Sequence, residues 1–238
     1  MTIKAIFTDL DGTLIRMDEQ DFLNHYLSRL CQTVAPLGYE PQTLVSAMWK
    51  GVDAVVHSDG SQSNRDTFWQ TFSTLLGKQV LLHEPVFNEF YDNGPFRLTQ
   101  EITKPNPMAR AFIDSLKERR LRIILATNPL FPACAVKTRL AWIGLTPEDF
   151  ELISTYENSR FCKPSVHYYE ELLQKSGLSP AECIMIGNSV TEDILPADAL
   201  GMETFLITEY ASGPTDQVKN KGSFSEMMTF VKAKTSLY

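Results

Sequence analysis

The chain has 238 residues, of which 43% are hydrophobic, and a formal net charge of −7. That length is enough for one large domain or two small ones, and the apolar share is well above that of a disordered chain. The net negative charge disfavours binding to nucleic acid or to an anionic membrane surface.

The first predicted element is a short apolar strand that ends in two aspartates. Residues 5–7 are apolar, and Asp9 and Asp11 follow before Gly12 and Thr13 turn the chain. Polar residues at the carboxyl end of a buried parallel strand lie where open α/β sheets bind ligands. Two carboxylates placed there repel each other and lose hydration, so they need a cation or a proton between them. The pattern indicates an active site at this strand end.

A helical segment then interrupts the chain, because residues 16–95 contain four stretches with apolar side chains at helical spacing and no convincing strand. We predict an all-α helical cap domain over 16–95, inserted into an α/β core formed by 1–15 and 96–238. The four helices are expected from Glu19 to Leu37, from Pro41, after Ser63, and from Glu84 to Tyr91.

From Pro105 onward, predicted helices and strands alternate. Strands separated by helices imply right-handed crossovers, so we predict a doubly wound, Rossmann-like parallel sheet. The predicted strands cover 121–126, 150–154, 183–186 and 203–207, and the predicted helices cover 105–120, 132–142, 165–177, 192–200 and 224–234.

Polar groups follow the apolar strands, or lie on loops that leave them, at three further places. These are Thr127-Asn128, Lys163-Pro164 and residues 188–193. In a parallel sheet the carboxyl ends of the strands share one edge, so we expect these groups to lie near Asp9 and Asp11. Their chemistry is complementary, because carboxylates can hold Mg²⁺, a threonine hydroxyl and backbone amides suit a phosphate oxygen, and a lysine supplies positive charge.

Together these motifs resemble those of the haloacid dehalogenase superfamily of hydrolases. The first is present in full as Asp9-Leu10-Asp11-Gly12-Thr13-Leu14, and the order and strand-end placement of the others match that superfamily over the whole chain. The other three are Thr127-Asn128, Lys163-Pro164 and Gly187-Asn188-Ser189-Val190-Thr191-Glu192-Asp193-Ile194. The helical insertion is similar to the C1-type cap of that superfamily.

The resemblance implies a phosphatase-like mechanism with an aspartyl-phosphate intermediate. Asp9 would be the nucleophile, and Asp11 would be the general acid and then the general base. The dehalogenases of the superfamily lack this second aspartate, so Asp11 points to phosphoryl transfer. Thr127 and the N–H of Asn128 would hold phosphate oxygens, and Lys163 would stabilise charge on the nucleophile and on the phosphoryl group.

The resemblance also implies a Mg²⁺ site, formed by the Asp9 side chain, the Asp11 backbone carbonyl and the fourth motif. That motif commonly reads Gly-Asp, whereas here it reads Gly187-Asn188, with Asp193 as the second acid. Asparagine keeps an oxygen ligand but removes one negative charge. We therefore expect metal binding through Asn188 or Asp193, with a lower affinity than an acidic version would have.

Three functions are compatible with these residues. The leading interpretation is a Mg²⁺-dependent phosphatase for a small phosphorylated metabolite, with the cap closing over the site. A phosphosugar mutase of the same superfamily would instead return the phosphoryl group to its substrate. The third is a catalytically weak protein that keeps the fold to bind a ligand or partner, an interpretation supported only by Asn188. The sequence leaves the substrate and the oligomeric state open.

The predicted location is cytoplasmic. The chain reaches Asp9 after only a few apolar residues, which is unlike a signal peptide. No apolar stretch approaches the ~20 residues of a membrane span. Four widely spaced cysteines without a C-x-x-C pair favour reduced thiols over a zinc site or a disulfide framework. We expect no nucleic-acid or membrane partner.

Overall fold

The computed structural model describes residues 2–235 and contains a six-stranded parallel sheet. Its strands are β1 (Ala5–Thr8), β2 (Arg122–Leu125), β3 (Leu152–Ile153), β4 (Cys183–Gly187), β5 (Glu203–Ile207) and β6 (Lys221–Gly222). The strand order is β3-β2-β1-β4-β5-β6, with β2 and β4 paired in parallel to the two sides of β1. The order reverses at β1, which is where doubly wound sheets bind their ligands.

Helices cover both faces of this sheet. In the core they are α5 (Pro107–Glu118), α6 (Ala133–Trp142), α7 (Val166–Ser176), α8 (Leu195–Ala199) and α9 (Phe224–Thr235), numbered after the four helices of the insertion. Alternate residues of β1 point to opposite faces. Ile6 belongs to the apolar core that includes α5, α6 and α9, whereas Ala5 and Phe7 belong to the core that includes α7 and α8. The predicted doubly wound α/β fold is confirmed.

The segment between β1 and α5 is helical, and its described residues 17–103 contain no strand. Its helices are α1 (Glu19–Val34), α2 (Pro41–Val56), α3 (Asn64–Leu76) and α4 (Glu84–Asp92). Side chains of Asp18 and Ser63 accept hydrogen bonds from first-turn amides of α1 and α3, which explains where these helices begin. Their apolar faces join the core on the α5 side of the sheet, through residues such as Phe22, Phe72 and Phe90.

The chain leaves the core and returns to it at neighbouring points. A 3₁₀ segment, Pro95–Ile102, packs against α1 and α4. The amide of Lys104 then donates a hydrogen bond of 2.8 Å to the carbonyl of Arg16, within an isolated antiparallel bridge. We propose that the cap extends from Arg16 to Lys104, so that its return lies later than residue 95.

Two local features differ from the prediction. Strand β6 was not predicted, because its two residues form no apolar run, and it is defined only by pairing with β5. The predicted helix from Glu192 begins earlier, as a single π-helical turn at Val190–Ile194 that precedes α8. The reason is local, since the hydroxyl of Ser189 accepts a 3.2 Å hydrogen bond from the amide of Glu192.

All four cysteines are unpaired. Over residues 2–235, no helix has both the length and the apolar character needed to cross a bilayer.

Candidate active site

Asp9 lies directly after β1, at the centre of the sheet edge. Its amide donates a 2.9 Å hydrogen bond to the carbonyl of Ile186 on β4, and the amide of Ala126 donates one of 2.8 Å to Thr8. These bonds continue the pairing of three strands to the first residue beyond β1, so the position of Asp9 is set by the sheet itself. Asp9 is only 7% exposed.

The carboxylate of Asp9 is held by two side chains. The ammonium of Lys163 donates a 2.8 Å hydrogen bond to Oδ1, and the hydroxyl of Thr13 donates one of 3.1 Å to Oδ2. Lys163 also donates a 2.6 Å hydrogen bond to Oδ1 of Asp193. Burial opposes a charge on Lys163, but the two carboxylates raise its pKa well above the usual value. The site therefore contains a buried, permanently charged ammonium beside Asp9.

Both carboxylate oxygens of Asp193 accept hydrogen bonds. Oδ1 accepts from Lys163, and Oδ2 accepts from the amides of Asn188 and Ser189, at 3.0 and 2.9 Å. The side chain thus reaches back across the loop that follows β4 and fixes its shape. A Cβ at Gly187 would collide with this carboxylate, so glycine is required there. These contacts give Asp193 the role of positioning Lys163 and the loop.

Asn188 faces Asp9 through a shared hydroxyl. Thr13 lies 3.1 Å from Oδ1 of Asn188 and at the same distance from Oδ2 of Asp9. The other end of the amide donates a 2.9 Å hydrogen bond to the carbonyl of Tyr210. Gly12 has a φ of +77°, and a Cβ there would collide with the Asn188 amide. A carboxylate oxygen and an amide oxygen are thereby brought close together.

Asp11 forms an ion pair with Arg139, which is fully buried on α6. The guanidinium of Arg139 also lies over the ring of Phe131, 4.6 Å from its centre. Within residues 2–235, Oδ1 of Asp11 and Nη2 of Arg139 have no hydrogen-bond partner. Burial raises the pKa of Asp11 to about 6, and the Arg139 charge opposes that shift.

Arg139 was missed in the sequence analysis. The available signal was its spacing, because it follows the buried Ala135 and Val136 by four and three residues and therefore lies on the apolar face of α6. A charged residue on such a face requires a buried partner. That partner, Asp11, lies 128 positions away in the chain and could not be identified from spacing.

Thr127 and Asn128 follow β2, on the neighbouring strand to Asp9. The carbonyl of Thr127 accepts hydrogen bonds from the Tyr168 hydroxyl at 2.9 Å and from Ser154 at 2.6 Å. The side-chain amide of Asn128 donates a 3.3 Å hydrogen bond to Glu192, so this loop is tied to the loop after β4. Both residues line the cavity that Asp9 also lines.

One cavity of about 1120 Å³ joins the predicted site residues. Its lining includes all of the predicted catalytic, phosphate-binding and metal-binding residues together with side chains from α1, α2, α3 and α4. The predicted residues on its wall are Asp9, Asp11, Thr127, Asn128, Lys163, Asn188 and Asp193. The tertiary structure thus brings all seven to one place, as the strand-end argument predicted.

Residues 3–201 match the family described as haloacid dehalogenase-like hydrolase. This range contains all four motifs and most of the chain. The chain belongs to the haloacid dehalogenase-like hydrolases.

Similar proteins include several named phosphatases. The glyceraldehyde 3-phosphate phosphatase of Methanothermobacter thermautotrophicus is 26% identical over 223 residues, which cover 92% of each protein. The pyrimidine 5'-nucleotidase PynA of Streptococcus pneumoniae is 36% identical over 98 residues, or 40% of each chain. The structure of a HAD phosphatase from Thermococcus onnurineus has a TM-score of 0.62 at 16% identity, covering 96% of this chain and 98% of that chain. The last likeness shows that the fold is shared.

Proposed function

We propose that this haloacid dehalogenase-like hydrolase cleaves phosphate monoesters through an aspartyl phosphate on Asp9. The observation that carries the proposal is the buried Asp9 carboxylate, oriented by Lys163 and Thr13 on the wall of a large cavity. A carboxylate fixed from both sides is prepared for attack, because little reorganisation is needed when it reacts. Thr127 and the N–H of Asn128 would hold the phosphate oxygens on the opposite loop.

In the first step, a carboxylate oxygen of Asp9 attacks phosphorus and the bond from phosphorus to the ester oxygen breaks. Asp11 gives its proton to that leaving oxygen. In the second step, Asp11 accepts a proton from water, whose oxygen attacks phosphorus and displaces Asp9. Lys163 stabilises the negative charge that develops on the phosphoryl group in both steps. Arg139 acts through Asp11, as a positioning residue.

The residues around Asp9 fit a Mg²⁺ ion. A carboxylate oxygen of Asp9 and the amide oxygen of Asn188 each lie 3.1 Å from the Thr13 hydroxyl oxygen, so both border the same part of the site. Together with the Asp11 carbonyl they form an all-oxygen set, which Mg²⁺ prefers. We propose Asn188 as the fourth-motif ligand, because its amide oxygen borders the same hydroxyl as Asp9, whereas Asp193 accepts three hydrogen bonds, from Lys163 and from two backbone amides. Bound Mg²⁺ would offset the repulsion between Asp9 and the phosphate.

The activity is tested by phosphate release from a panel of phosphorylated metabolites and an aryl phosphate, with Mg²⁺ and with chelator. We expect chelator-sensitive release that falls at least ~10³-fold in Asp9→Asn, because the nucleophile is lost. Asp216→Asn removes an exposed carboxylate outside the cavity and serves as the matched control. Isomerised substrate without free phosphate would instead indicate a mutase, and a protein without turnover on any ester would be a binding protein.

The metal assignment is tested by Asn188→Asp. The new carboxylate adds a negative charge toward the cation but loses the hydrogen bond to Tyr210 and faces its carbonyl oxygen. We expect half-saturation of turnover at a Mg²⁺ concentration about tenfold lower than in the wild type, since a charged ligand is added. The free energy of unfolding without Mg²⁺ should fall by about 1–2 kcal/mol. An unchanged Mg²⁺ dependence would exclude Asn188 as a ligand.

A further inference from the structure

The part of the cavity remote from Asp9 is apolar. The whole cavity has a volume of about 1120 Å³, slightly above the roughly 300–1,000 Å³ that is typical of small-molecule sites. The wall contributed by α3 and α4 includes Phe68, Trp69, Phe72 and Phe87, whose rings contact one another at centroid distances between 5.2 and 5.9 Å. Trp69, Phe72 and Phe87 are at most 6% exposed, so this wall is a packed aromatic layer behind the cavity, with Phe68 only partly buried.

Helix α2 adds apolar side chains that the fold leaves uncovered. Met48, Trp49, Val52 and Val56 line the cavity at helical spacing. Trp49 is 47% exposed and Val56 is 40% exposed, although both belong to residue types that are normally buried. Apolar side chains that are exposed to a cavity gain free energy when a bound molecule covers them.

The charges of the cavity are mostly negative. Among its described lining residues, Lys163 is the only basic one, whereas seven are acidic. The acidic lining residues are Asp9, Asp11, Asp18, Glu19, Glu192, Asp193 and Glu209. The Lys163 ammonium is already bound to Asp9 and Asp193 and lies at the phosphate end. A second anionic group on a substrate would therefore lose its hydration without meeting a cation.

We infer that the substrate is a phosphate monoester whose alcohol portion carries no negative charge and is largely apolar, with an aromatic or branched aliphatic body seated against α2 and α3. This inference rests on the proposed phosphatase function. The binding preference that it states can nevertheless be measured without turnover. It excludes esters that carry a carboxylate or a second phosphate. Such a substrate also differs from glyceraldehyde 3-phosphate, the small, polar ester for which the Methanothermobacter thermautotrophicus relative is named.

The preference is measured with phosphonates, which are not hydrolysed, by titration calorimetry on the full chain with saturating Mg²⁺. The probes are methylphosphonate, benzylphosphonate, 4-carboxybenzylphosphonate and 4-(aminomethyl)benzylphosphonate. We expect benzylphosphonate to bind at least about tenfold more tightly than methylphosphonate, because it covers apolar surface. It should also bind about tenfold more tightly than the carboxylated probe. Equal affinity for the methyl and benzyl probes, tighter binding of the carboxylated probe than of benzylphosphonate, or weaker binding of the aminomethyl probe than of the carboxylated probe would overturn the inference.

Two variants locate the preference in the cavity. Trp49→Ala should reduce the ratio of benzyl to methyl affinity about fivefold, because the ring's contact area is lost. Leu82→Ala is the matched control, since Leu82 is 79% exposed on the cap and lies outside the cavity lining, and it should leave that ratio unchanged. Val52→Lys introduces a cation on α2, so it should improve binding of the carboxylated probe relative to benzylphosphonate. Affinity ratios that stay at their wild-type values in both lining variants would contradict the assignment.

Hydrolysis assays separate this inference from the proposed function. If benzylphosphonate binds as expected but neither benzyl phosphate nor any other ester releases phosphate, the phosphatase proposal fails and the binding preference stands. If esters are hydrolysed but kcat/KM is equal for benzyl phosphate and 4-carboxybenzyl phosphate, the phosphatase proposal stands and the substrate inference fails.

Discussion

At the residue scale, the ion pair of Arg139 and Asp11 joins a buried guanidinium to a carboxylate whose side chain is 28% exposed. Arg139 is fully buried, contacts Asp11 and lies over Phe131. The free-energy cost of removing two charges from water offsets most of the electrostatic attraction between them in a buried ion pair. Removing only one partner leaves an unpaired charge in an apolar environment, which is much more destabilising than replacing both.

We therefore predict that Arg139→Met lowers the free energy of unfolding by ~3 kcal/mol, because Asp11 loses its counter-charge. The double variant Arg139→Met/Asp11→Asn should recover most of that loss, since no unpaired charge remains. Urea denaturation of the four proteins in this cycle measures the coupling directly. Additive effects of the two substitutions would show that the pair is not coupled.

At the element scale, Asp149 joins α5 to the loop before β3. It is 6% exposed and accepts hydrogen bonds from Arg110 at 2.9 Å, from Lys117, and from the amide of Thr146 at 2.8 Å. Burial alone would raise the pKa of Asp149, but the hydrogen bond from Lys117 and that from the Thr146 amide hold it below the ordinary value. The ionised side chain therefore stabilises the folded state.

A lowered folded-state pKa has a defined effect on stability. The contribution is fully present above the unfolded-state pKa, near 4 for aspartate, and is lost as the pH falls through the folded-state pKa. We predict that Asp149→Asn lowers the free energy of unfolding by about 2 kcal/mol at pH 7. The difference from the wild type should shrink below about pH 4.

Urea denaturation at several pH values measures this difference. Asp114→Asn is the matched control, because Asp114 also pairs with Arg110 but is 46% exposed in its side chain. Its loss should change stability by less than about 0.5 kcal/mol. A constant difference between wild type and Asp149→Asn from pH 7 to the acid transition would contradict the predicted role of ionisation.

At the scale of the whole molecule, the helical cap is fastened to loops that carry site residues. Asn64 is fully buried at the start of α3, and its amide donates a 2.8 Å hydrogen bond to the carbonyl of Ser159. Its side chain donates to the carbonyls of Pro129 at 3.2 Å and Phe161 at 3.1 Å. Pro129 directly follows Thr127-Asn128, and Phe161 lies two residues before Lys163. Orientation of the cap and geometry of the site are therefore linked.

We predict that Asn64→Ala loosens this attachment, because two core carbonyls lose their donor. The expected loss in the free energy of unfolding is about 1–3 kcal/mol. Hydrogen exchange should become faster at the start of α3 and in residues 129–131 and 156–161, while the β1 and β4 amides stay protected. Asn24→Ala, on the exposed face of α1, is the control. Unchanged exchange in those two loops would show that the cap is held by other contacts.

Local patterns along the chain are enough to predict much of this fold. Strands β1, β2, β4 and β5 are apolar runs, and the four cap helices have apolar residues at helical spacing, with a capping side chain before α1, α2 and α3. Because carboxyl ends of parallel strands share an edge, the placement of Asp9, Thr127 and Asn188 just after predicted strands was enough to predict that they lie at one edge of the sheet. Short-range periodicity and backbone pairing therefore account for these strands, these helices and the strand-end positions of the site residues.

The partner of each polar side chain in the site is known only from the three-dimensional structure. Asp193 and Asn188 are both oxygen-bearing residues of one motif, yet one holds Lys163 and backbone amides while the other faces Asp9 through Thr13. The partner of Arg139 and the apolar lining of the cavity likewise depend on contacts between distant segments. Such contacts depend on how whole helices and strands pack together. The relative positions of these elements produce no periodic pattern in the sequence, so they cannot be predicted from it.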